Sequence, residues 1–333
     1  MDAQRWIHPT PQGLFVPAGG FYIDPPVPVE RAVVTHGHSD HARPGNAHVL
    51  ATPETLAIMR HRLGDGLGAA QALPYGEIIA LGNVRLRLAP AGHILGAAQV
   101  VLEHAGMRVV VSGDYKRVPD PTCAPFEPVA CDVFVTEATF GLPVFRHPDP
   151  RAEIARLLHS VKLFPERCHL VGVYALGKCQ RVLALLRASG YEEPVYLHGA
   201  LAGLTELYAA HGQSFGQLRA VGDVPRGDLM GAIVLAPPSA LGDRWSRRLP
   251  DPVPALASGW MRVKQRAKQQ GVELPLVISD HADWDELTRT IEDVQAPEIW
   301  VTHGREEALV HHARKRGLRA RALSLVGYEE EDT

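Results

Sequence analysis

The stretch Thr35-His36-Gly37-His38-Ser39-Asp40-His41, which leaves the apolar run Ala32–Val34, decides the reading of this chain. It sets four metal-ligand side chains within six residues, on a loop that follows a strand-like segment. Such a loop offers imidazole nitrogens to one divalent ion, and a carboxylate with an imidazole to a second. A solvated structural loop has no use for that density of ligands. The same arrangement recurs further along the chain. His93 in Pro90-Ala91-Gly92-His93, Asp114 in Val111-Ser112-Gly113-Asp114 and His303 in Val301-Thr302-His303-Gly304 each follow an apolar run and stand close to glycine. Glycine is expected where backbone must crowd a metal site.

Around these loops the first 140 residues read as short strands divided by turn residues such as Gly19-Gly20 and Gly82-Asn83. One helix interrupts them, with Thr52 as cap, Pro53 at its first position and an end near Leu63. After Glu137 the texture changes to alternating strands and helices. A helix from Asp149-Pro150 to Phe164 is followed by a strand at His169–Val173, a helix at Gly177–Ser189, a strand at Val195–His198, a helix at Leu201–His211 and a strand at Ala232–Ala236. That order predicts βαβ units with a parallel sheet. Pro237-Pro238 and Pro250–Pro254 read as loops, and from Leu276 the strand ends bearing histidine return. The expected organisation is therefore α/β, with a β-rich domain in two parts, 1–144 and 263–333, and an inserted domain at 145–262.

With 333 residues and 46% apolar content, the chain has material for a buried core in each domain. A net charge of −3 argues against a general polyanion-binding surface, yet leaves room for a local basic groove or for bound ions that bring positive charge. The four cysteines lack C-x-x-C spacing and read as reduced packing residues. No window holds 18 uninterrupted apolar residues, and Met1–Thr10 carries Asp2 and Arg5 where a signal peptide needs an apolar run, so a cytoplasmic protein without a membrane partner is expected. The acidic tail Glu329–Asp332 reads as frayed.

The histidine and aspartate loops together resemble those of the metallo-β-lactamase superfamily, whose fold is an αββα sandwich that gathers such loops along one edge. The resemblance implies that His36, His38 and His93 hold one divalent ion, that Asp40, His41 and His303 hold the other, and that Asp114 bridges them. It implies further that Asp24, ending Phe21-Tyr22-Ile23-Asp24, braces the histidine loop. Zinc suits this shell, with manganese as the alternative. A pair of ions can polarise a phosphoryl oxygen and activate a water as nucleophile.

Two more motifs select a branch. Val135-Thr136-Glu137-Ala138-Thr139-Phe140-Gly141 and Ile278-Ser279-Asp280-His281-Ala282-Asp283 resemble the acidic and histidine motifs of the β-CASP nucleases, in which an extra domain is inserted between those two motifs. The resemblance makes His281 a general acid or transition-state donor, with Glu137 holding its tautomer and favouring its protonated form. Asp40 counts as catalytic as well as a ligand. In the inserted domain, Gly177 and Lys178 of Tyr174-Ala175-Leu176-Gly177-Lys178-Cys179-Gln180 are similar to a helix start of RNA-processing relatives, where free amides suit a phosphate. Ser258 and Gly259, ahead of Trp260 and the basic run Arg262, Lys264, Arg266 and Lys268, are the candidates for the other side of a nucleic-acid groove.

Val16–Pro25, Ser112–Phe126, Ala236–Ala240 and Ala257–Met261 resemble the bacterial ligase-associated DNA exonuclease family. This implies a two-metal DNA exonuclease of repair, acting on single-stranded or end-containing DNA in functional association with an ATP-dependent DNA ligase and a helicase. His303 departs from the valine usual in eukaryotic DNA-repair members and matches RNA-processing ones, so an RNA-processing β-CASP ribonuclease is the alternative. A thioester or lactam hydrolase on the same centre leaves the insert and the Ser-Asp-His-Ala-Asp motif unexplained.

Overall fold

In the computed structural model, residues 3–323 are described, and the acidic tail Glu329–Asp332 lies outside them. The chain divides into two units: residues up to Arg146 together with those from His281 on, and His147–Asp280.

The first unit is built on two sheets. One has six strands in chain order, His8–Thr10, Gly13–Val16, Phe21–Ile23, Arg31–Val33, His48–Ala51 and Ala69–Ala72. The other has seven, ordered Arg319–Ala322, Glu298–Gly304, Val133–Ala138, Met107–Val111, Ala98–His104, Val84–Pro90 and Ile78–Leu81. Alternation along each strand sorts the side chains by face. Val33 and Leu50 from one sheet join Val109, Val111, Val133, Val135 and Trp300 from the other in a shared core. The intervening Ala32 and Val34 turn outward, onto Leu56 and Met59 of the helix Pro53–Leu63. As expected, Thr52 caps that helix, accepting from Thr55 N at 3.2 Å, with Pro53 in its first turn. On the far side, the helix Glu306–Lys315 packs against Glu298–Gly304 and Arg319–Ala322, and the helix Trp284–Asp293 packs against Glu306–Lys315. The result is an αββα sandwich. Each large side chain closed off completely inside it, such as Phe21 or Trp300, contributes about 1.5–3 kcal/mol of hydrophobic stabilisation.

Strand direction then places the loops. Val84–Pro90 and Met107–Val111 are both antiparallel to Ala98–His104, while Val133–Ala138 and Glu298–Gly304 run parallel to Met107–Val111. All four therefore end at one edge of the seven-stranded sheet, and those ends carry His93, Asp114, Glu137 and His303. In the facing sheet Phe21–Ile23 and Arg31–Val33 are parallel, so Asp24 and His36 also leave together.

The second unit is a six-stranded, all-parallel sheet in the order Leu218–Ala220, Val195–Leu197, Ile233–Ala236, His169–Gly172, Val253–Ala257 and Leu274–Leu276. Its helices include Pro150–Leu163, capped by Asp149, then Lys178–Ala188 and Ala202–Ala210. The sequence reading ended this unit at 262 and made Pro250–Pro254 a loop. Instead Val253–Ala257 is an internal strand, and Leu274–Leu276 pairs with it to extend the unit to Asp280. Proline is tolerated there because of where its missing donor falls. Pro254 O accepts from Glu273 N at 2.9 Å, so the proline nitrogen faces the edge-strand side, where paired residues begin only at Ala255 and Leu274.

Candidate metal centre

Thr35 organises the histidine loop. Its amide and hydroxyl donate to the two oxygens of Asp24, at 2.8 and 2.6 Å. Since the hydroxyl proton points to Asp24, its oxygen accepts from His36 Nδ1 at 3.0 Å. His41 Nδ1 donates to the same Asp24 carboxylate at 2.8 Å. Both rings thereby carry their proton on Nδ1 and turn Nε2 inward, the tautomer a metal-binding imidazole needs. Asp24 makes these contacts from a left-handed backbone (φ 43°). Gly113 lets the Asp114 loop close on this platform, because a β-carbon there would meet Thr35 Cβ at 2.8 Å.

The inward atoms converge on Asp114. Its Oδ2 lies 3.4 Å from His36 Nε2, 3.4 Å from His41 Nε2, 3.9 Å from His93 Nε2 and 4.0 Å from His281 Nδ1. His38 Nδ1 sits 3.2 Å from His36 Nε2 and 3.0 Å from His93 Nε2. Tetrahedral zinc with nitrogen ligands at 2.0–2.1 Å spaces its donors about 3.3 Å apart, so His36, His38, His93 and Asp114 fit one ion. A second donor set of His36, Asp40 and His41 lies within 4.8 Å, and Asp40 Oδ2 is 3.3 Å from His41 Nε2. Asp40 Oδ1 is buried without a hydrogen bond, as suits a ligand awaiting a cation. His303 stacks obliquely beside His41 with ring centroids 5.3 Å apart, again on a left-handed backbone (φ 56°).

Burial and mutual repulsion shape the charges. Burial, then His41, holds the His36 imidazole well below its ordinary range, and the same two causes bring His303 down to about 4. Burial opposes the charge on Asp114 and Asp40, yet His41 overrides it and keeps both carboxyls low. His41 is driven upward: burial works against its charge, and Asp40, Asp114 and Asp24 outweigh it. Without metal, the cluster therefore stores a proton on His41.

Glu137 and His281 meet beside this centre. Glu137 Oε1 accepts from Tyr115 N at 2.7 Å, and Oε2 accepts from His281 Nδ1 at 3.1 Å. Burial pushes the Glu137 carboxyl up, and His281 pulls it partly back. The His281 side chain keeps 21% exposure beside Glu137.

The candidates in the second unit fare differently. Lys178 is buried and donates to Asp280 Oδ1 at 2.6 Å and to Ile278 O at 3.0 Å. Its charge is paired inside the unit. The Gly177 amide donates to Gln180 Oε1 at 2.8 Å, so it is not free either. Ser258 Oγ accepts from Trp260 N at 3.2 Å and caps the turn Gly259–Arg262, where Gly259 is buried. Trp260 is also buried, with the Arg266 guanidinium 4.0 Å over its ring, which leaves no open face for a base. Arg262, Lys264 and Lys268 are exposed. The four cysteines are free thiols. No helix among the described residues is long and apolar enough to cross a membrane.

Thr35 stands in the histidine motif without an assigned role, and nothing in the sequence singles out Tyr115. The signal for Thr35 was its place directly before His36, where a hydroxyl can pass a hydrogen bond from ring to carboxylate.

No family model matches the chain. Among individual proteins, the chain is 31% identical over 323 residues to a probable DNA ligase of Opitutus terrae, covering 93% of this chain and 30% of that protein. It is 28% identical over 212 residues to a ribonuclease of Thermus thermophilus, covering 54% of this chain and 48% of the other. The chain thus spans about a third of the first relative and about half of the second. A crystal structure of a protein of unknown function from Enterococcus faecalis aligns over 90% of this chain and 80% of its own with a TM-score of 0.58 and 13% identity, a likeness of fold.

Proposed function

The chain is a member of the metallo-β-lactamase superfamily in its β-CASP branch, and from that premise we propose that it is a two-metal phosphodiesterase that shortens DNA from an end. The observation that carries the reading is the convergence of His36, His41, His93 and His281 on Asp114 Oδ2 within 3.4–4.0 Å. It joins a metal-ligand shell to a proton-transfer pair. His36, His38 and His93 would hold one ion and Asp40, His41 and His303 the other, with Asp114 available to both; zinc suits these donors, with manganese as the alternative. When bound, such ions polarise a phosphoryl oxygen and make water nucleophilic at neutral pH.

The chain's own groups supply the rest. Asp24 and Thr35 fix the ring tautomers, so the donors are set before any ion arrives. Glu137 holds His281 by Nδ1, and His281 gives a proton to the leaving oxygen. Glu137 keeps that imidazole oriented and favours its charged form.

DNA stands first because the Opitutus terrae relative is a probable DNA ligase, and this supports repair alongside a ligase. The Thermus thermophilus ribonuclease supports the second reading, RNA cleavage on the same centre. One assay separates them: metal-stripped protein with zinc or manganese restored, acting on 5′-labelled and 3′-labelled single-stranded DNA and the matched RNA, beside His281→Ala. Metal-dependent loss of DNA with RNA spared is expected, and the label gives the polarity. Preferred RNA cleavage moves the chain to the second reading, and no cleavage of either refutes both.

A further inference from the structure

Lys116 and Glu286 stand 170 positions apart in sequence and form a part-buried ion pair that no catalytic step uses. Lys116 keeps 5% exposure, and its Nζ donates to Glu286 Oε2. Burial disfavours the charged Glu286 carboxylate, but Lys116 offsets this and the carboxyl stays low. The same carboxylate accepts Arg117 N and Val118 N, each at 2.8 Å, and Asp283 N at 3.0 Å. Asp283 accepts Glu286 N in return at 2.9 Å, closing the cap of the helix Trp284–Asp293. One carboxylate thus gathers the backbone after Asp114 and the backbone after His281.

Lys116 also touches the third loop of the site. Its amide donates to Ala91 O at 3.0 Å, and Gly92 lies so close to Lys116 O that a β-carbon there would clash with it. One residue further back, Tyr115 O accepts from Ala282 N at 2.6 Å while Tyr115 N donates to Glu137. Lys116 is therefore a junction of the His93, Asp114 and His281 loops.

Resting on the phosphodiesterase reading above, we propose that the Lys116–Glu286 pair is a positioning device that sets His281 against Asp114 and Glu137. It touches neither substrate nor metal. Its removal should misplace the proton donor while leaving the ligand shell filled. A pair retained only for stability would lower melting temperature without altering turnover. A pair that positions His281 acts on the chemical step.

The test uses the full chain with Lys116→Met, Glu286→Gln, the double variant and Lys116→Arg. Expected are a fall in kcat of about tenfold or more for either single variant, KM and metal stoichiometry near wild type, a double variant no slower than the slower single, and partial recovery in Lys116→Arg. Unchanged kcat in a folded single variant, or single effects that multiply in the double, overturns the proposal. Should Lys116→Met fail to fold, the isosteric Glu286→Gln decides the question alone. The His281 ring nitrogen resonances of metal-free protein, read by NMR, keep the two readings apart. They should shift in Glu286→Gln whether or not the wild type cleaves nucleic acid, so an inactive wild type refutes the phosphodiesterase reading, and an unshifted His281 refutes the clamp.

Discussion

Replacing Glu137 by glutamine probes the proton-transfer pair with the smallest possible change of shape. The wild-type carboxylate accepts on both sides, from Tyr115 N at 2.7 Å and from His281 Nδ1 at 3.1 Å. An amide has one acceptor oxygen, so one of these donors must face an NH2 group. The backbone amide makes the shorter bond and cannot change its character, which leaves the NH2 against His281. That arrangement disfavours a proton on Nδ1 and removes the anion that steadies the charged ring. A hydrogen bond to a charged group contributes about 1.5–3 kcal/mol, which converts to about 10-fold to 150-fold in kcat. His281→Ala removes the group outright and should lie lower, at about 10²–10⁴-fold, and the double variant should be no slower than His281→Ala. Losing the anion also weakens the protonated ring, so the alkaline limb of the kcat profile should move to lower pH. The assay is turnover on labelled single-stranded DNA from pH 5 to 10, with metal content and melting temperature measured on the same preparations. Full activity with an unmoved limb would refute the role of Glu137. Loss of bound metal would refute it differently, because Asp114, Glu137 and His281 also lie within 4.8 Å of one another and Glu137 would then be a ligand.

Three further outcomes are expected. Asp24→Asn weakens the hold on the His36 and His41 rings and should lower metal affinity about 10-fold to 100-fold, as read by competition with a chromophoric chelator. The proton stored on His41 must leave when metal binds, so calorimetry in buffers of different ionisation enthalpy should show proton release at neutral pH, and affinity should rise as pH climbs toward the raised His41 value. In the second unit His169 is buried against Ser160, and burial brings its imidazole down to about 4. The unfolded chain takes up this proton near pH 6.5 and the folded one does not, so stability is complete above 6.5 and declines as pH falls toward 4. Urea melts at pH 7 and pH 5 should differ in that direction, and His169→Gln should reduce the difference.

What could be seen in the sequence was what is local. A strand followed within a few residues by histidine or aspartate and glycine is contiguous, so the ligand loops could be named before the fold was known. The convergence of those loops follows from strand direction, which the resemblance to αββα proteins anticipated. Ala69–Ala72 carries no strand signal because all four residues, three alanines and Gln71, are exposed, with no alternation to detect. The helix Trp284–Asp293 is not among the elements expected from sequence, although Asp283 and Glu286 stand at capping-box spacing. Lys178 looked like a phosphate ligand because its partner Asp280 lies 102 positions away. Lys116 drew no notice for the same reason: nothing local distinguishes a lysine bound for a part-buried carboxylate from one bound for solvent.

The strand Glu298–Gly304 lies between Val133–Ala138 and Arg319–Ala322 in the completed sheet, and this placement gives the protein a history. On a ribosome adding about 5–20 residues per second, the roughly 160 residues between these two central strands take on the order of ten to thirty seconds to appear. Through that interval the edge of Val133–Ala138, a wholly buried strand in the finished molecule, is bare and open to pairing with another chain. The early chain is correspondingly exposed to aggregation, and a chaperone that shields strand edges would raise its yield more than one that acts after release. The unfinished chain also contains neither His281 nor His303. The His36, His93 and Asp114 loops therefore exist before the two histidines that complete their surroundings.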